Sequence, residues 1–291
     1  MKLLEGKNTL VTGGGRGIGK AVAIDFAKNG ANVGVAARTK VELDQTVEQI
    51  EKYGVKGLSI SADLSTLDGV ADCAKHYFNS FESIDILINN AGMTQVSSLI
   101  DYPIDLALKL FNLNFIGYYA LLKEVLPKMI EQKSGSIVMT SSVVGNIYFP
   151  PKKIAYAASK AAISAMGKCL SLELKPYNIT VNVVTPEGVE TKMAKDLRNW
   201  GQQMSVTSPP EMISPAYLFL SSNLAKKKYK GRIVELHTIC DFLPSLHKEF
   251  SGKELETREL VKLAEEHLKK DQFKVLKQNS ELVNFMLHYK R

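Results

Sequence analysis

The chain has 291 residues, 45% hydrophobic and 23% charged. That is the balance of a globular protein with one large α/β domain or two small ones. No apolar run reaches the length of a membrane span, and three scattered cysteines (Cys73, Cys169, Cys240) argue against a disulfide framework or a paired-cysteine zinc site. The net charge of +7 fits either an acidic or phosphorylated partner or a solvated basic surface; no concentrated basic block points to nucleic acid. The five histidines form no ligand cluster, so no metal is expected. The opening Met-Lys-Leu-Leu-Glu-Gly-Lys lacks a secretory apolar region, and a cytoplasmic location is the expectation.

In chain order, residues 8–12 read as a strand that enters the turn Gly13-Gly14-Gly15-Arg16-Gly17-Ile18-Gly19. An amphipathic helix with Val22, Ala23, Phe26 and Ala27 on one face follows and closes at Gly30, and residues 31–37 are a short apolar strand. This strand, glycine turn, helix and strand form the context of a phosphate-binding loop. The glycines permit a tight turn and close backbone approach, and the helix N-terminus offers free N–H groups and partial positive charge to a pyrophosphate.

The alternation continues with a helix over 41–53, a strand over 56–61, a helix over 66–81 and a short strand over 84–89 that ends in Asn-Asn-Ala-Gly. Residues 104–128 read as one long helix. A strand over 136–141, a helix over 155–174, a strand over 179–184, a helix over 212–222 and a last strand over 232–236 complete the pattern. Strands alternating with helices predict a Rossmann-type, doubly wound, mostly parallel sheet of about seven strands with helices on both faces. After Leu243-Pro244 the pattern changes, so the chain divides into a domain over 1–244 and a helical C-terminal extension over 245–291. Two charged amphipathic helices are expected in the extension, at 254–269 and 272–289, docked on the domain or on a partner subunit.

Tyr156 and Lys160 stand four residues apart on one face of the predicted 155–174 helix, so a phenol and an ammonium group share a neighbourhood. Ser141 and Ser142 close the strand before it and supply hydroxyls. With the glycine turn, Asn89-Asn90-Ala91-Gly92 and Asn114, these motifs fall in an order that resembles the short-chain dehydrogenase/reductase family over about residues 5–240, in particular its 3-oxoacyl-carrier-protein reductase-like members. The resemblance implies an NAD(P)-dependent enzyme. Gly13, Gly15, Arg16, Gly17, Ile18 and Gly19 would shape the pyrophosphate site, and Asp63 and the Leu64 backbone would meet the adenine. Asn90, Ala91 and Gly92 would line the cofactor, with Val189 and Thr191 at its carboxamide. Tyr156 would be the general acid or base, Lys160 would bond the nicotinamide ribose and lower the Tyr156 pKa, Ser142 would polarise the carbonyl, and Asn114 would hold a linking water. Ser141, one residue from Ser142, should point elsewhere by strand alternation.

Where an acidic residue would accept the ribose hydroxyls of NAD, the chain has Ala37 followed by Arg38, with Arg16 in the turn. Two guanidinium groups and no carboxylate favour the 2′-phosphate of NADP(H). Glu187 occupies a place where relatives carry glycine. Either the turn slips to Gly188 with Glu187 facing outward, or the carboxylate meets a polar substrate; the first is preferred, because an unpaired buried carboxylate is expensive. Pro150-Pro151-Lys152-Lys153 either reshapes one wall of the substrate site or leaves both lysines solvated. Met193, Leu197, Trp200 and Met204 form an apolar substrate wall or simply pack a lid. The expected activity is NADP(H)-dependent interconversion of a carbonyl and an alcohol, on a ketone or a 3-oxoacyl thioester, by a homodimer or homotetramer. The alternatives are a non-catalytic nucleotide-binding scaffold and a peripheral membrane reductase of a lipid ketone.

Overall fold

The computed structural model describes residues 2–202, 208–226, 228–250 and 255–289. Seven strands form one sheet: β1 (Asn8–Thr12), β2 (Asn32–Ala37), β3 (Gly57–Ser61), β4 (Ile86–Asn89), β5 (Gly135–Thr140), β6 (Ile179–Val184) and β7 (Ile233–Val234). Their order is β3-β2-β1-β4-β5-β6-β7 and every pairing is parallel. The order reverses between β1 and β4. There the connections leave in opposite directions and open a crevice at the carboxyl ends of the strands.

The apolar runs of the central strands arise because both faces are covered. Val11, Ile86, Ile88 and Val138 join one core with α1 (Gly17–Lys28), α2 (Lys40–Glu51) and α8 (Pro210–Ser221). Leu10, Leu87, Ile137 and Met139 join the other with α3 (Leu67–Ser80), α5 (Gly117–Gln132) and α6 (Ile154–Glu173). Successive residues go to opposite faces, as the period of two demands.

Three differences from the sequence expectation bear on the site. The helix expected over 104–128 divides into α4 (Ile104–Phe111), a π-helical turn at Asn112–Ile116, and α5. The wider turn carries Asn114 inward, where it is fully buried. A short helix, α7 (Lys192–Asn199), occupies the segment read as a lid. Helix α9 (Leu236–Phe250) follows β7 almost at once and runs through Pro244. Its buried Leu236, Ile239, Cys240, Leu243, Leu246 and Phe250 keep helical spacing, so the proline marks no boundary in the backbone.

Beyond α9, three helices stand where two were expected: α10 (Thr257–Ala264), α11 (Lys270–Gln278) and α12 (Ser280–His288). Asn279 separates the last two, bonding back to the Val275 carbonyl through its side-chain amide (3.0 Å). These helices pack into the core of α1 and α8. Tyr289 fixes the end of this region to α1: its hydroxyl donates to Asp25 Oδ1 (2.7 Å) and accepts from Asn29 Nδ2 (2.8 Å). Cys73 and Cys240 are buried and Cys169 is exposed, and no disulfide joins them. Among the described residues, no helix is long and apolar enough to cross a membrane.

Candidate active site

The carboxyl ends of β1, β4 and β5 converge on the crevice. Gly13, at φ +68°, turns the chain out of β1. A Cβ on Gly19 would lie 2.3 Å from the Gly13 carbonyl oxygen, so only glycine lets the turn close onto the helix. Thr12 ties this turn to β4: its hydroxyl accepts from the N–H groups of Asn90 (2.8 Å) and Ala91 (3.0 Å), and its carbonyl accepts from Asn90 Nδ2 (3.0 Å). No side chain caps the N-terminus of α1 and its first turn holds no acidic residue. The N-terminus of α1 is thus left without a side-chain cap, and this cradle fits a pyrophosphate. Ile18 packs behind the turn in the core, and the Thr191 side chain lies over Gly17, 3.0 Å from where a Cβ would stand.

The far end of the crevice differs from expectation in one respect. Arg16 Nη1 donates to Glu42 Oε1 (3.0 Å) and Oε2 (3.2 Å), so a carboxylate from the first turn of α2 does stand at this position. The same glutamate packs against the turn, with its Cβ 3.0 Å from a Cβ built on Gly15. Arg38 is exposed and makes no ion pair among the described residues. Asp63 lies below its ordinary carboxyl range: burial pulls it upward, but the Ser65 hydroxyl and N–H, with Arg38 and Lys109 nearby, outweigh that pull. Leu64 is buried, its carbonyl close to Gly117 at the start of α5.

At the other end, Ser142, Tyr156, Lys160 and Asn114 come together. The Ser142 hydroxyl lies close enough to the Tyr156 phenol to favour its ionisation, and it accepts from Val144 N–H (3.2 Å). Ser141 turns away: it donates to the Lys160 carbonyl (2.7 Å) and accepts from Ser164 (3.0 Å). Lys160 Nζ donates to the Thr140 carbonyl (2.8 Å) and sits 5.8 Å from the Tyr156 ring centre. A Cβ on Gly92 would come within 3.5 Å of that ammonium group and 3.2 Å of Asn114 Oδ1. Asn114 holds the Met93 backbone from both sides (2.9 and 3.0 Å) and donates to Ser159 Oγ (3.0 Å).

Burial decides the protonation of the pair. It pulls the Lys160 ammonium down to about 7 and pushes the Tyr156 phenol above its ordinary value, with the Ser142 hydroxyl opposing the latter. Desolvation is thus the largest effect on the phenol. An ammonium group that readily loses its proton, beside a phenol that keeps its own, suits transfer of a proton to a developing alkoxide.

Val189 bridges to Ser208, and the Thr191 hydroxyl accepts from Ala194 N–H (3.3 Å) to cap α7. Gly188 carries the positive φ of +56° and Glu187 is exposed, so the turn has slipped by one residue and the carboxylate faces outward. Leu197 is buried as lid packing, Met193 is half-buried, Trp200 is exposed, and Met204 lies outside the described residues.

Sequence reasoning missed several neighbours of this site. Tyr118 is buried with its ring centre 5.9 Å from Lys160 Nζ, and its hydroxyl has no partner among the described residues. Both amide atoms of fully buried Asn89 are likewise unpaired. Gln95 Oε1 accepts from Tyr156 N–H (3.2 Å). A tyrosine one residue past Gly117 was the available signal for Tyr118; the others depend on contacts that no local pattern carries.

The sequence profile described as short chain dehydrogenase matches residues 7–202. The chain belongs to the short-chain dehydrogenase/reductase family. It is 35% identical over 227 residues to the 3-oxoacyl-(acyl-carrier-protein) reductase FabG of Thermotoga maritima, covering 76% of this chain and 92% of that one. It is 36% identical over 191 residues to versicolorin reductase 1 of Dothistroma septosporum, covering 65% and 72%. A crystal structure of a short-chain type dehydrogenase/reductase from Mycobacterium marinum superposes with a TM-score of 0.75 at 30% identity, covering 80% of this chain and 95% of that one. The chain is thus an NAD(P)-dependent short-chain dehydrogenase/reductase, with a fifth of its length outside that superposition.

Proposed function

We propose that this short-chain dehydrogenase/reductase reduces a ketone or 3-oxoacyl substrate with NADP(H), using Tyr156 as general acid. The observation that carries this reading is the convergence of buried Ser142, Tyr156, Lys160 and Asn114 at the end of the crevice that holds the glycine cradle. When bound, the nicotinamide supplies the hydride. Gly13, Gly15, Gly17, Ile18 and Gly19 hold the pyrophosphate against the N-terminus of α1, and Asn90, Ala91, Gly92, Val189 and Thr191 line the nicotinamide half. Asp63 and the Leu64 backbone receive the adenine. Ser142 orients the carbonyl oxygen, and Tyr156 gives that oxygen its proton as negative charge develops. Lys160 then returns a proton to Tyr156, and its own supply runs past Asn114.

Arg38 supports the preference for NADP(H), since its exposed guanidinium stands free where a 2′-phosphate would lie. Arg16 contributes less, because Glu42 already pairs with it. Exposed Ile104 and Leu108 on α4, with Tyr119 on α5, support a homodimer formed across these helices. Residues 245–291 serve as a helical extension of the catalytic domain, in an enzyme placed in the cytoplasm. The reading is tested by following NADPH oxidation against 3-oxoacyl thioesters and free ketones. Turnover of either class supports the reductase, and turnover of thioesters narrows it. No NADPH oxidation with any carbonyl substrate overturns it.

A further inference from the structure

Lys153 stands in a place that disfavours a lysine in three ways. It is the N-cap of α6, where the partial positive charge of a twenty-residue helix repels a cation. It is only 8% exposed, and burial pushes its ammonium below the ordinary lysine range. Among the described residues no carboxylate pairs with it, no hydrogen bond satisfies it, and the first turn of α6 holds no acidic residue.

The surrounding backbone holds it there. Lys152 adopts a left-handed conformation at φ +63°, and its carbonyl accepts from Ser97 N–H (3.0 Å). Two residues along the same segment, Gln95 Oε1 takes the N–H of Tyr156 (3.2 Å). Tyr156 is the third residue of α6, whose N–H an N-cap side chain ordinarily accepts. Gln95 has taken over that task, which frees the N-cap position for a side chain that cannot accept a hydrogen bond. The N-cap and third positions belong to the same first turn of α6, so Lys153 and Tyr156 enter the site from one helical turn. The Thr94 hydroxyl in the same segment is also buried without a partner among the described residues.

We propose that Lys153, at the N-terminus of α6, binds the carboxylate of an oxo-acid substrate whose carbonyl meets Ser142 and Tyr156. This inference rests on the reductase reading and narrows its substrate. A carboxylate would meet one ammonium group and the free N–H groups of the helix with a single negative charge. A phosphate dianion would leave excess charge in a buried site. Because the two residues belong to one helical turn, a short acid fits, with the carboxylate a few bonds from the carbonyl carbon, as in a 2-, 3- or 4-oxo acid.

The test compares 2-, 3- and 4-oxo carboxylates with their methyl esters at saturating NADPH, in the wild type, K153M and K153R. The expected result is that the wild type prefers one acid over its ester. In K153M the acid-to-ester ratio of kcat/KM falls about ten- to a hundredfold, the range for losing a charged hydrogen bond, mainly through KM. K153R restores part of that ratio. Reduction of esters and neutral ketones with a ratio that K153M leaves unchanged overturns the carboxylate site while the reductase stands. No NADPH oxidation with any substrate overturns the reductase. Calorimetric titration of an unreactive alkanoate into the NADPH complex then decides the carboxylate site by itself: binding lost in K153M supports it, and equal or negligible binding in both proteins overturns it.

Discussion

Replacing Lys160 with methionine should stabilise the fold while disabling the site. The ammonium is buried, with one hydrogen bond, to the Thr140 carbonyl (2.8 Å), and burial brings its pKa from 10.5 to about 7. Between pH 7 and about 10 the unfolded chain holds a proton that the fold does not, so stability rises with pH across that window. Below pH 7 the fold must carry the buried charge, at roughly 4–5 kcal/mol relative to water. Methionine fills much the same volume without the charge but leaves the Thr140 carbonyl without its donor, which costs about 1–3 kcal/mol. K160M should therefore be more stable than the wild type by about 1–4 kcal/mol at pH 6, and that gain should shrink toward pH 10. Urea unfolding at pH 6, 8 and 10 measures it, with carbonyl reduction assayed in parallel and expected to fall about 10²–10⁴-fold. A variant less stable than the wild type at pH 6, or a difference that does not change with pH, would refute the reasoning.

Three further outcomes follow from named contacts. R38D should move the kcat/KM preference from NADPH toward NADH, measured with both cofactors and one carbonyl substrate; an unchanged ratio would place the 2′-phosphate contact elsewhere. G19A drives a Cβ to 2.3 Å from the Gly13 carbonyl oxygen, so NADPH affinity in a fluorescence titration should fall at least about tenfold as the turn opens. Y289F removes the bonds to Asp25 and Asn29 and should lower stability by about 1–2 kcal/mol in urea, with kcat altered little, since this contact lies at the far end of α1.

Much of this molecule was legible in the sequence for a definite reason. The glycine turn, the Asn90 segment, Ser142, Tyr156 and Lys160 sit at the ends of strongly periodic elements, where a short motif and its structural context occur together. The seven-stranded parallel sheet follows from the same alternation. What escaped depends on contacts distant in the chain. The division between α4 and α5 is set by the π-helical turn that carries Asn114 inward, and a continuous apolar pattern gives no sign of it. Pro244 imitated a boundary, yet α9 passes through it because its apolar residues keep facing the core. Glu42 neutralises Arg16 across the α1–α2 corner, a pairing visible only once the helices are placed. Lys153 was read as either wall or solvated surface, and only the fold shows it buried at the N-cap of the helix that carries Tyr156.

The account rests on Tyr156 as proton donor in a pocket that also binds the cofactor. The most direct test is single-turnover NADPH oxidation by Y156F with saturating carbonyl substrate, alongside an NADPH binding titration. The prediction is a rate lowered about 10²–10⁴-fold with cofactor still bound. Turnover at the wild-type rate in Y156F would contradict it.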